Sequence, residues 1–93
     1  MRPYNIYEDV VFLLVDEVIA SEGGCTCERC RSDVMAIALN SLKPVYVVSE
    51  SGKAYMSNRT QLNQAKVDAY RAVLRAVNMV KQNPCHDDGS WTT

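Results

Sequence analysis

Apolar side chains recur at three- and four-residue intervals in three stretches of this chain, and a short run between the second and third reads as extended. The first stretch opens at Asn5, with Glu8 three residues on as in a capping box, and carries Ile6, Val10, Leu13 or Leu14 and Val18 along a helix to about Ala20. Gly23 and Gly24 stop it. No polar residue interrupts Val10 to Val15, so this helix needs cover on more than one face. Either it runs through the middle of a small bundle or a second copy of the chain covers it, and the latter predicts a dimer. A second helix is expected from near Thr26 through Cys30, Val34, Ile37, Ala38 and Leu42, ended by Pro44. Tyr46-Val47-Val48-Ser49 is β-prone, and Ser51-Gly52 marks a turn before Ala54-Tyr55-Met56. That pattern predicts a hairpin, or a single strand paired across a dimer, packed on helices because an isolated hairpin is marginal. The third helix opens at Asn58 with Gln61 as capping partner, and places Leu62, Ala65, Ala69, Ala72 or Val73, Ala76 and Val80 in register up to Pro84. The expected fold is mainly α, a small three-helix domain with a short extended or hairpin segment between helices two and three.

Ninety-three residues make one domain, and a chain of that length buries only about two thirds of the surface its unfolded form exposes. Its core alone is marginal, so a metal staple or a partner subunit is expected. The net charge of −1 argues against generic attraction to nucleic acid or anionic lipid. No apolar run reaches bilayer-spanning length, and the start MRPYN lacks the regions of a signal peptide. A cytoplasmic protein without membrane insertion is the expectation. In that compartment disulfides do not persist, which leaves metal binding, redox sensing or burial as uses for four cysteines.

Three of those cysteines, Cys25, Cys27 and Cys30, fall within the string CTCERC, and the fourth, Cys85, stands far downstream. A tight thiolate cluster with one remote member suits a tetrahedral zinc ion, with Cys85 or its neighbour His86 filling the fourth position once helix three folds back beside helix two. Cys27 and Cys30, three apart on the first turn of helix two, face the same way, and the positive end of the helix favours thiolate. Four protein ligands make a closed, structural Zn2+ site. A catalytic zinc needs an open position and a general base, and the lone histidine, His86, abuts a candidate ligand. Glu28, on the first turn of a helix, reads as a solvated partner of the dipole rather than a base. With no triad and no glycine-rich phosphate loop, the chain reads as a non-enzyme.

Charge is unevenly spread. Residues 1–24 hold Arg2 against Glu8, Asp9, Asp16, Glu17 and Glu22, whereas residues 53–82 hold Lys53, Arg59, Lys66, Arg71, Arg75 and Lys81 against Asp68. Helix three is therefore basic. Arg71 and Arg75 lie one turn apart and could grip a phosphate, with Lys66 as a further cation, or the same face could pair with acidic helix one or be solvated. Nucleic acid is not the expected partner, because a zinc finger gathers its ligands within about 25 residues, and Cys30 and Cys85 are 55 positions apart.

Taken together, YNIYEDVV, then CTCERCRSDVMAIALNSLKPVYVVSESG, then a long helix reaching QNP, resemble the late competence development protein ComFB family of bacteria. The likeness runs from about Tyr4 to His86. Its most specific part lies between Cys25 and Ser49, where Cys-x-Cys-x-x-Cys, Asp33-Val34, Ala38-Leu39-Asn40 and Pro44-x-Tyr46-Val47 follow the family's order. Cys25, Cys27 and Cys30 match its cluster. The resemblance implies a ComFB-like zinc-binding, dimeric helical domain, expected over residues 1–86, and the residues after it, 87–93, read as a flexible tail because no helical period continues there. It also implies a regulatory rather than catalytic role tied to competence, with cyclic dinucleotides sensed by some members. A cyclic di-GMP or cyclic di-AMP bound between subunits would be gripped by Arg71, Arg75 and Lys66, with Tyr46 or Tyr55 stacking on its bases. The alternative is a protein–protein interaction module or scaffold in competence or type IV pilus regulation, with no small ligand.

Overall fold

The computed structural model describes residues 2–82. In chain order they form β1 (Tyr4–Asn5), α1 (Ile6–Ser21), α2 (Glu28–Ser41), β2 (Tyr46–Val47), α3 (Ser49–Ser57) and α4 (Arg59–Gln82). The expectations for Cys85, His86 and the tail lie outside the described residues.

Asn5 caps α1, its Oδ1 accepting from the Tyr7 N–H at 3.1 Å. At the other end Gly23, at φ 68°, takes the left-handed conformation that ends many helices. The Gly24 N–H then reaches back to the Ile19 carbonyl and the Gly23 N–H to that of Ala20, which closes a Schellman motif. The chain leaves this turn heading into the cysteine cluster. Helix α2 starts two residues later than the spacing suggests, because Cys27 serves as its cap rather than as a member of its first turn. Asn58 caps α4 as expected, accepting from the Gln61 N–H at 3.0 Å.

The alanine-rich face of α4 lies against both α1 and α2, which also touch each other, so these three helices enclose the core. Ala65, Ala69, Ala72, Val73, Ala76, Val77 and Val80 of α4 meet Ile6, Val10, Val11, Val15, Val18 and Ile19 of α1 and Cys30, Val34 and Ala38 of α2. Small residues let the helix axes approach, and branched residues on α1 fill the space between them. The apolar centre of α1 is only partly covered: Val10, Val11 and Val15 are buried, while Phe12 and Leu13 remain 56% and 57% exposed.

The region between α2 and α4 departs from expectation. There are four helices among the described residues rather than three, since Ser49–Ser57 is α3 where a turn and second hairpin limb are expected. Strand β2 pairs with the chain's own N-terminus, Tyr4 opposite Val47 and Asn5 opposite Tyr46, in an antiparallel two-stranded sheet. Ser51 winds the start of α3: its Oγ accepts from the Val48 N–H at 2.9 Å and donates to the Val48 carbonyl at 3.1 Å. Gly52 is buried with Tyr4 and Val47 closest to it, so the Ser-Gly pair marks a close approach inside a helix rather than a reversal of a strand.

Candidate metal centre and basic cleft

Two local devices assemble the thiol cluster. The Schellman turn after α1 presents Cys25, and the start of α2 presents Cys27 and Cys30. Cys27 Sγ accepts from the Cys30 N–H at 3.4 Å, capping the helix with sulfur. The three sulfurs lie within 4.8 Å of one another. Bonds of about 2.3 Å to a tetrahedral zinc put sulfurs about 3.8 Å apart. A closure of about 1 Å is within reach of side-chain rotation at Cys25 and Cys27, which are exposed. The donor set fits the metal: three soft ligands, no competing hard ligand in the cluster, and one position left to fill.

Electrostatics divide the thiols. The Cys30 backbone N–H, followed by contacts from the Cys25 and Cys30 side chains, lowers the Cys27 pKa. Burial, followed by the Cys27 and Cys25 neighbours, raises that of Cys30. Beside the cluster lies a cavity of about 250 Å³ bordered by Cys25, Cys30, Val34, Val77, Val80 and Lys81 among others. The last turn of α4 thus arrives at the metal candidate. Lys81 fastens it there, its Nζ donating to the Glu22 carbonyl at 2.7 Å.

The residues proposed to bind a ligand are distributed differently. Arg71 and Arg75 line one cleft of about 280 Å³ with Tyr7, Ser41, Lys43 and Asp68. It lies near the opposite end of α2 from the cysteines, on the order of 20 Å away by the helical rise. Lys66, exposed on the same helix, stands about 140° around its axis from Arg71. Tyr46 is 67% exposed and borders a separate hollow with Asn5, Glu8, Met35 and Leu39. Tyr55 is half-buried and close enough to Tyr7 to help raise the latter's pKa, after burial and the Asp68 carboxylate. The geometry therefore joins Arg71 and Arg75, and separates both from Lys66 and Tyr46. Lys43 has no periodic or motif signal, and only the approach of the α2–β2 connection to α4 places it in this cleft.

Neither arginine pairs with the acidic face of α1. Among the described residues Asp16 pairs with Arg31 of α2 instead, at 2.8 Å, and the Arg31 guanidinium also lies 4.8 Å from the Phe12 ring centroid. No described helix is long and apolar enough to cross a membrane.

The family model described as late competence development protein ComFB matches residues 4–84. A solved structure of the late competence protein ComFB from Bacillus subtilis superposes with a TM-score of 0.73 at 26% sequence identity, over 89% of this chain and 92% of that one. No curated protein sequence matches the chain.

Proposed function

Because this chain belongs to the ComFB family of late competence development proteins, we propose that it acts as a zinc-stapled, dimeric regulatory protein that senses a cyclic dinucleotide in the cytoplasm and catalyses no reaction. The observation that carries the metal half is the convergence of three sulfurs supplied by two different elements. Cys85 is the proposed fourth ligand. It follows Gln82 by three positions, a span of about 10 Å at full extension, and the last turn of α4 borders the same cavity as Cys25 and Cys30. Bound zinc would tie the α1–α2 turn, the start of α2 and the chain beyond α4 into one unit, and its binding energy would count directly as folding energy. Four protein ligands leave no position for substrate, which supports a structural rather than a catalytic ion.

The receptor half is supported by Arg71 and Arg75, which share the cleft without a carboxylate paired to either among the described residues, and is tested by calorimetric titration with cyclic di-GMP and cyclic di-AMP. Saturable heat with either, lost in Arg71→Gln/Arg75→Gln, is the expected result; silence from both at high micromolar concentration removes this half. Metal analysis tests the other half. We expect one zinc per chain, and a strong chelator should lower helicity and melting temperature together; an unchanged melt with no zinc released refutes the staple.

A scaffold without a small ligand is the second reading, in which the exposed Phe12 and Leu13 of α1 meet a larger partner instead of a second copy of this chain. A receptor gains thermal stability with its ligand by mass action, whereas a scaffold does not respond.

A further inference from the structure

We propose that the cleft between the C-terminal end of α2 and α4 is an oxyanion site in which Lys43, Arg71 and Arg75 hold a phosphoryl group while the carboxylate of Asp68 limits its affinity. Three cations from two parts of the chain border one concavity, and none has a carboxylate within ion-pairing distance among the described residues. Lys43 stands just past the end of α2, where a cation could bond the last carbonyls, yet no described carbonyl holds its ammonium. Asp68 is one turn from Arg71, but its oxygens face other groups: Oδ2 takes the Tyr7 hydroxyl at 3.5 Å and Oδ1 the Gln64 amide at 3.4 Å. Ser41 adds no donor, since its hydroxyl hydrogen is committed to the Ala38 carbonyl at 2.9 Å.

The cleft is thus lined by three positive charges and one negative, with arginine forks able to meet two oxygens at once. Mutual repulsion of the cations is relieved by a multivalent anion with several acceptor oxygens, and a phosphoryl group meets that description better than a single carboxylate. Such a group could come from a cyclic dinucleotide or from a simple phosphate. The inference shares Arg71 and Arg75 with the receptor reading and adds Lys43 as a ligand and Asp68 as an opposing charge.

The test titrates the full chain with inorganic pyrophosphate, cyclic di-GMP and cyclic di-AMP, read by calorimetry and by amide chemical shifts. Binding of at least one probe is expected to move resonances of residues 41–43 and 68–75. Lys43→Gln should weaken it about fivefold or more, while Lys66→Gln, on another face of α4, should leave it unchanged. Asp68→Asn should tighten it about threefold or more, because one unfavourable charge leaves the cleft. Asparagine keeps an acceptor for the Tyr7 hydroxyl, and circular dichroism checks its fold. An Asp68→Asn affinity equal to or weaker than that of the wild type overturns the proposal. So does a Lys43→Gln effect no larger than that of Lys66→Gln, or the absence of saturable binding by any probe. Pyrophosphate binding in the cleft with silence from both dinucleotides keeps this site and removes the receptor reading. Dinucleotide binding indifferent to both Lys43→Gln and Asp68→Asn does the reverse.

Discussion

One side-chain oxygen of Asn5 joins two segments of the chain. It accepts from the Tyr7 N–H at the start of α1 and from the Val45 N–H before β2, both at 3.1 Å, in a buried setting. Asn5→Ala removes a cap and leaves a second amide without its acceptor, so it should cost about 2–3 kcal/mol in denaturant unfolding. Asn5→Asp keeps the oxygen and should cost less than half as much; equal losses would show that the bonds are not the cause. Gly52 is a second case in which two effects oppose. In mid-helix an alanine is worth about 1 kcal/mol over glycine, but its Cβ at this position would run into the Tyr4 hydroxyl and press on Val47. Overpacking of that kind costs about 1–3 kcal/mol, so Gly52→Ala is expected to lower the melting temperature, and a rise would mean that Tyr4 moves aside freely. The cap at Asn5 was legible in the sequence from its place ahead of the apolar period, although its oxygen takes the Tyr7 N–H rather than that of Glu8. Its bond to Val45, forty positions away, had no such signal.

At the scale of elements, the start of α2 carries two roles in one side chain. Cys27 caps the helix through sulfur and belongs to the thiol cluster. Serine is a better cap than most residues, so Cys27→Ser should leave α2 intact in metal-free protein and yet lower the melting temperature of the zinc-loaded protein. A variant that matches the wild type in both states would remove Cys27 from the ligand set. The packing of α1 on α4 carries a pH dependence. Burial, then the Asp68 carboxylate and Tyr55, raise the Tyr7 phenol above its ordinary 10.0. The folded value exceeds the unfolded one, so this contribution is complete below about pH 10 and is lost as pH climbs through the folded value. Alkaline melts should therefore fall more steeply for the wild type than for Tyr7→Phe, and parallel curves would contradict this. Helix α3 departs from the expected hairpin because its apolar and turn residues suit a hairpin locally, whereas β2 takes Tyr4–Asn5 as its partner strand.

Over the whole molecule, two ends of one bundle differ in chemistry, with thiols at the α1–α2 turn and cations near the far end of α2. Phe12 and Leu13 lie on the outer face of α1, and in the proposed dimer they supply the apolar contact. Leu13→Glu should then shift sedimentation from dimer to monomer with helicity retained; an unchanged sedimentation coefficient would place the subunit contact elsewhere. Sequence by itself determined the three long helices, the caps at Asn5 and Asn58, the small-residue face of α4 and the cysteine cluster, because each is written within a few residues and repeats with the helical period. Tertiary structure alone decided that the N-terminus pairs with β2, that Ser49–Ser57 winds into a helix, and that Lys43 meets Arg71 and Arg75 while Lys66 and Tyr46 face elsewhere. Those outcomes depend on how packed helices cross and where connections land, and such long-range contacts leave no period in the chain to read.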